Sequence, residues 1–289
     1  MIRAIRVSVV SIAVAIGFVG SPSAAQEPQA VQLNWQIGPM TAPIGDDLAE
    51  VDIGEDTIFL DAEGTRQLME LTQNPVSGRE VATLSSASED DGWFLVLEFD
   101  PVGYVADEEK DDLEADAMLE SIRAGTETAN EARRERGWAT MSIVGWHEPP
   151  HYDERTNHMS WAIVGESEGH QTINRIVKLL GRHGVMTATL VAAPDDLVAA
   201  TPAADALLAN YRFRPGNTYA EFVPSTDKLA QYGLTALVVG GAGAALVKSG
   251  LLARLWKPIV LGLAALGAGL KRVFFSGRST QHHPEAPIT

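Results

Sequence analysis

The most unusual local sequence in the chain is Pro149-Pro150-His151-Tyr152-Asp153. With Glu148 and Glu154 beside it, this stretch offers an imidazole, a phenol and several carboxylates. Such a set could hold a polar ligand or relay a proton. The same residues have a plainer use, which is the preferred reading. The two prolines stiffen a hairpin tip, Tyr152 folds back onto Trp146 or Trp161, and Asp153 caps the turn. Arg182, in Gly181-Arg182-His183-Gly184, could hold an anion, but a simple hairpin turn explains those glycines better. Asn130 and Arg134 are one helical turn apart and read as bonding a neighbouring sheet rather than a substrate. Hydrolytic chemistry would require His151, Asp153 and Arg182 to converge.

Metal chemistry finds little support in the spacing. His147 and His151 are four apart, yet Pro149 and Pro150 forbid the helix that would align them as ligands. His158 adds a third imidazole without a carboxylate at a fixed spacing. The acids Asp107, Glu108, Glu109, Asp111, Asp112, Glu114 and Asp116 do not make a calcium loop. Counting from Asp100 puts Val102 and Tyr104 at ligand positions, and counting from Asp107 leaves no glycine at the sixth. They read instead as acids gathered at a helix N-terminus. There is no cysteine, which excludes disulfides, zinc thiolates and a thiol nucleophile. No nucleophile elbow, phosphate loop or dinucleotide fingerprint occurs. The expectation is therefore no metal, no cofactor and no assigned catalytic residue, leaning away from an enzyme.

The elements that must position these residues lie mostly between Ser142 and Val191. Ser142–Trp146, Met159–Val164, Ile173–Leu180 and Val185–Val191 each have strand length and composition. The turn residues between them predict consecutive antiparallel hairpins. Trp93–Phe99 is apolar on both sides save Glu98, the pattern of a central strand covered on both faces. Ala49–Leu60 suggests short strands, and Gln26–Leu48 a weakly periodic, partly ordered opening. A helix is predicted from Asp61 to about Gln73, stopped by Asn74-Pro75. A long helix is predicted over Asp107–Arg136, with Gly137 as its C-terminal cap. Pro194-Asp195-Asp196 opens a short helix, Thr201-Pro202 a second, and Tyr211–Phe213 and Tyr219–Phe222 are final strand fragments. The fold class is α+β, with a central antiparallel sheet flanked by helices and, at the C-terminus, a transmembrane helix or helical hairpin.

The two ends differ from the middle. Met1–Ala25 has the charged start, apolar core and small residues of a secretory signal peptide. All but one of the 38 acidic residues lie in 26–227, within a chain of net charge -16. Such a body repels phosphate backbones and anionic lipid surfaces, so nucleic acid is excluded as a partner. Residues 26–227 are taken as the exported domain and 228–275 as an anchor, either a span near Trp256–Phe275 or a two-helix hairpin. The 276–289 tail reads as disordered. The single span would leave the tail with Lys271, Arg272 and Arg278 in the cytoplasm, and the hairpin would put Lys248, Arg254 and Lys257 on the cytoplasmic side. Ala236, Gly240 and Ala244 form a small-residue stripe suited to homo-oligomer packing in lipid. The expected location is the bacterial inner membrane, with the main domain in the periplasm and an envelope protein or component as its partner. The catalytic alternative is an envelope hydrolase.

Several motifs carry a resemblance to a known family. They are Trp93-Phe94 with Gly103-Tyr104-Val105, Asn130 with Arg134 and Gly137, Gly145-Trp146, and Pro150-His151-Tyr152-Asp153. Trp161-Ala162, Leu180-Gly181-Arg182, Gly184-Val185-Met186, and Asp227 with Tyr232-Gly233-Leu234 follow in order. In these the chain resembles a bacterial family of predicted membrane-anchored proteins, domain of unknown function 2167. The resemblance implies an exported domain with a C-terminal anchor and no known activity. The element order alone is also similar to a PsbP-like sandwich, by analogy.

Overall fold

The computed structural model describes residues 33–239, apart from 89, 111 and 112. In chain order the elements are β1 (Gln36–Ile37), β2 (Met40–Ile44), β3 (Ala49–Ile53), β4 (Thr57–Asp61), α1 (Ala62–Leu71), β5 (Glu80–Ser86), β6 (Trp93–Asp100) and α2 (Ala115–Glu135). Then come β7 (Ser142–Asp153), β8 (His158–Ser167), β9 (His170–Leu180), β10 (Val185–Ala192), α3 (Leu197–Ala209), β11 (Tyr211–Phe213) and α4 (Leu234–Val239). Eight strands form one sheet in the order β1-β4-β5-β6-β10-β9-β8-β7, and β11-β3-β2 form a second. Every strand pairing within the two sheets is antiparallel.

The alternation of side chains along each strand decides what covers the large sheet. The register places Leu95 and Leu97 of β6 beside Leu190 and Ala188 of β10, and Ala188 beside Val177 of β9. This face packs against the small sheet and α3. Val96 and Glu98 pair with Thr189 and Thr187, which pair with Ile176 and Lys178. That second face carries α1 through Met69, and α2 and α4 through Met118, Ile122, Leu234 and Leu237. Strands β6 and β10 are therefore buried on both sides, as the continuous apolar run of Trp93–Phe99 requires. Each fully buried leucine or isoleucine there stabilises the fold by about 1.5–3 kcal/mol relative to exposure.

The helix boundaries follow local chemistry. Asp61 caps α1, its carboxylate accepting the Gly64 amide at 2.9 Å. Met118, Ile122, Gly125, Ala129 and Arg133 make one buried stripe on α2, and Gly137 follows at φ 68. The expected start of that helix at Asp107 is corrected to Ala115. Asp107 instead accepts from the Tyr152 hydroxyl at 3.0 Å, and Glu109 accepts the Thr235 amide at 3.2 Å.

Other expectations are also corrected. Pro149 to Asp153 is not a hairpin tip but the far half of β7, and the tip falls at Glu154 to Asn157. Strand β7 is an edge, so prolines there cost no ladder bond, and the pairing register shifts around Glu148. Pro194 to Ala209 holds one helix rather than two. Pro202 lies inside α3, where it has no N–H for the Val198 carbonyl. Val198 is 84% exposed, so water can serve that carbonyl. Tyr219–Glu221 is a 3-10 turn held by a Thr218–Glu221 capping box, not a strand. Strand β5, sprinkled with serine and threonine, had no place in the sequence reading.

The signal peptide at 1–25, residues 240–275 of the anchor and the 276–289 tail lie outside the described residues. The folded unit continues past the expected boundary at 227. Leu234, Ala236, Leu237 and Val238 are buried, so they do not open a span. A two-span hairpin beginning near Leu229 conflicts with that packing. So does an oligomer stripe that uses Ala236, while Gly240 and Ala244 lie outside the described residues. Among the described residues no helix is long and apolar enough to cross a membrane.

Candidate functional site: a loop collar at one end of the sheet

The β9–β10 turn, the segment after β6, the β7–β8 tip and the segment from Arg214 to Gly233 meet at one end of the large sheet. Backbone bonds tie them. Tyr104 donates its amide to the Lys228 carbonyl and receives that of Ala230, both at 2.8 Å. Gly103 donates to His183 at 3.1 Å, and Arg182 to Asn217 at 2.9 Å. Glycine is needed at Gly103, where φ is +101 and a Cβ would collide with the Lys228 carbonyl. It is needed at Gly184 for a similar reason, since a Cβ there would strike the Asp100 carbonyl.

Side chains lock the collar. Arg182 grips Asp227 with two bonds, at 2.7 and 2.9 Å, and Asp227 also accepts the Val223 amide at 2.7 Å. The guanidinium first, then that amide, hold the Asp227 carboxyl down to about 2. This contribution to stability is present above the ordinary value of 3.8 and is lost as pH falls through about 2. The Tyr104 ring lies between those of Tyr219 and Phe222, stacked at 4.4 and 3.9 Å. The Tyr219 hydroxyl donates to the Val105 carbonyl at 3.0 Å. Burial and then the Asp107 carboxylate push the Tyr152 phenol upward, so it stays protonated. Replacing Asp227 with asparagine is expected to speed limited proteolysis between residues 216 and 233 several-fold. An unchanged rate would show that the Tyr104–Lys228 backbone bonds hold the segment alone.

The residues singled out from sequence are each engaged elsewhere. The Trp146 indole donates to the Ala115 carbonyl at 3.2 Å, tying β7 to α2. His151 Nε2 is 3.0 Å from the Ser160 hydroxyl across the β7–β8 pair. Asp153 accepts the Arg155 amide at 2.9 Å, the turn-capping role expected of it. Asn130 clasps the Met141 backbone in both directions, at 2.7 and 2.9 Å, which bonds α2 to the start of the sheet. Arg134 points outward to Glu127 at 2.7 Å. It is Arg133 that turns inward, donating to the Ala139 carbonyl at 2.5 Å. Thus Tyr152 and Arg182 belong to the collar, while His151, Asp153 and Arg182 each bond a different partner and form no common site.

Sequence reasoning missed a buried polar row on the helix-covered face. Lys178, Thr187 and Glu98 lie side by side across β9, β10 and β6, exposed by 6%, 3% and 7%. Lys178 Nζ donates to Thr187 Oγ1 at 2.8 Å, and Glu98 accepts from Ser77 at 2.9 Å. Its signal was a lone charge inside each of two apolar runs. A separate cavity of about 280 Å³ lies between the small sheet, the β5–β6 loop and α3, rimmed by Asp52, Asp56 and Asp91. Asp52 and Asp91 already accept bonds from Arg212 and Ser86. Among the described residues no group of three or more acidic or histidine side chains is placed to hold a metal ion.

The architecture is an antiparallel sheet layered between helices on one face and a smaller sheet with α3 on the other. The chain belongs to the family described as Protein of unknown function (DUF2167), whose model matches residues 36–269. No curated protein matches the chain. Among solved structures, the cyanobacterial PsbP (CyanoP) of Synechocystis sp. PCC 6803 is similar at 12% identity and a TM-score of 0.39. That match covers 68% of this chain and 98% of the other. The immunity protein TplEi of the T6SS of Pseudomonas aeruginosa is similar at 10% identity and a TM-score of 0.26, over 61% of this chain and 76% of the other. Scores this low carry no argument about function.

Proposed function

We propose that the chain is an exported bacterial domain, tethered to the inner membrane by its C-terminal run, that binds an envelope protein or component without turning over a substrate. The observation that carries this reading is the change of sequence chemistry past the described residues. Up to Val239 the polar residues singled out from sequence are spent on internal bonds within an acidic body. Beyond it, Pro258 to Leu270 carries no charge and is followed by Lys271, Arg272 and Arg278. The burial of Leu234 to Val238 favours one span near Trp256–Phe275 over a hairpin. The signal-like start at Met1–Ala25 directs the acidic body to the periplasm, and the tail with Lys271, Arg272 and Arg278 then lies in the cytoplasm.

The test is fractionation of the full chain from a Gram-negative host. The protein is expected to pellet with inner membranes, resist alkaline extraction and become open to protease once the outer membrane is permeabilised. Leu263→Arg with Leu266→Arg is expected to release it, because each central arginine costs ~2.5–3.5 kcal/mol of insertion free energy. Recovery of the unaltered chain in the soluble fraction without detergent overturns the reading. Affinity capture from detergent-solubilised membranes then identifies the partner.

A further inference from the structure

We infer that the collar is the surface the domain lays against the lipid, with Tyr104, Tyr219, Phe222, Val223 and Leu229 at the membrane boundary. The inference rests on the tether proposed above and adds an orientation to it. Val223 is 39% and Leu229 56% exposed, and Tyr104, Tyr219 and Phe222 are half-buried residues stacked on one another beside them. Exposed apolar residues on a loose loop would signify little. These sit on a segment pinned at three points: Arg182–Asp227, Val223–Asp227 and the Tyr104–Leu229 bridge. A fixed apolar patch of this kind marks an interaction surface.

The chemistry of the patch selects a lipid boundary. Four of the five tyrosines in the chain, Tyr104, Tyr152, Tyr219 and Tyr232, gather at this end. Tyrosine suits the boundary region through its amphipathic ring, and with the Tyr152 and Tyr219 hydroxyls turned inward to Asp107 and Val105 it is the ring faces that remain to meet the lipid. Lys228, exposed beside Leu229, can reach a lipid phosphate. The apolar run follows within the same stretch of chain, and residues 240–255 can extend on the order of 50 Å, long enough to bring a span beside the collar.

The absence of cysteine makes the test direct. Val223→Cys and Leu229→Cys are made singly in the full chain, with Val144→Cys on β7 and Val198→Cys on α3 as exposed controls. Each is nitroxide-labelled and reconstituted in phosphatidylcholine–phosphatidylethanolamine vesicles. Flotation reports the tether, and collision with oxygen against a water-soluble nickel chelate reports the surroundings of each label. The expected result is flotation of all variants, with an oxygen-to-nickel ratio several-fold higher at 223 and 229 than at 144 and 198. Flotation with equal ratios at all four positions overturns the orientation and leaves the tether standing. Low access to both reagents at 223 and 229 means protein contact and also overturns it. Failure to float removes the tether and this inference with it.

Discussion

Lys178→Met is expected to raise the stability of the folded chain by about 1–3 kcal/mol at pH 7, because burial disfavours the ammonium by more than Glu98 and Asp100 favour it. Methionine keeps the length and volume of the lysine stem, so the packing change is small. What changes is the field at Glu98. That carboxylate is almost fully buried, faces Glu80 and is offset by Lys178 across Thr187 and by Arg79. Burial above all holds its proton affinity above the usual carboxylate range, and removing the ammonium raises it further. Adding Glu98→Gln is expected to raise stability further, because it removes the carboxylate left buried without its counter-charge. Denaturant unfolding of the two singles and the double gives the coupling directly. A loss of stability at Lys178→Met would show that the pull of Glu98 outweighs burial, and the rise of stability with pH would then be absent.

The same row sets a pH dependence. Burial pushes the Lys178 ammonium down to about 8 from the ordinary 10.5, against the pull of Glu98 and Asp100. A depressed group contributes stability that is present above its unfolded value and lost as pH falls through its folded value. Stability should therefore rise between about pH 8 and 10, and Lys178→Met should flatten that rise. Above pH 10 the tyrosines act oppositely. Burial raises Tyr152, Tyr211, Tyr219 and Tyr232, whose neutral forms the fold prefers, so stability should fall there. On the acid side, raised Glu98 adds stability as pH falls through its folded value toward 4.5.

Local signals in the sequence located most of the sheet. The hairpins from Ser142 to Val191 and the doubly covered Trp93–Phe99 were legible because period and turn chemistry act within a few residues. The cap Asp61 and the terminator Gly137 were legible for the same reason. What failed depended on partners far away in the chain. The acids after Asp107 look like a helix start until Tyr152 and the Thr235 amide claim two of them. Pro149-Pro150 looks like a turn until β7 is found to be an edge strand. Arg182 reads as part of a hairpin turn, and it is, but nothing near it in the chain points to Asp227, its ion partner 45 residues on. The start of the apolar C-terminal run looks like lipid-facing helix until α2 offers Met118 and Ile122 to cover it. Hydropathy reports that a segment must leave water, not which apolar surface receives it.

Trp161→Ala is expected to cost about 3–5 kcal/mol, the range for emptying a large aromatic site in a packed core. Trp161 is fully buried on β8 opposite Ile176, between α2 and the sheet. Trp161→Phe separates two contributions. It removes one ring of volume, which destabilises, and also an indole N–H that has no partner. Leaving such a donor buried costs about 1–3 kcal/mol, so its removal offsets much of the lost packing. The phenylalanine variant is therefore expected to stay within about 1 kcal/mol of the parent in denaturant unfolding. A loss as large as that of the alanine variant would mean the N–H is bonded after all. Both amide atoms of Asn174, across from Ile163 on the next strand, also lack a protein partner. Lys178 lies 5.9 Å from the indole ring centre, so the two predictions are linked. Trp161→Phe combined with Lys178→Met should depart from additivity by about 0.5–1 kcal/mol, since the smaller ring still faces an ammonium in the single variant and an uncharged thioether in the double.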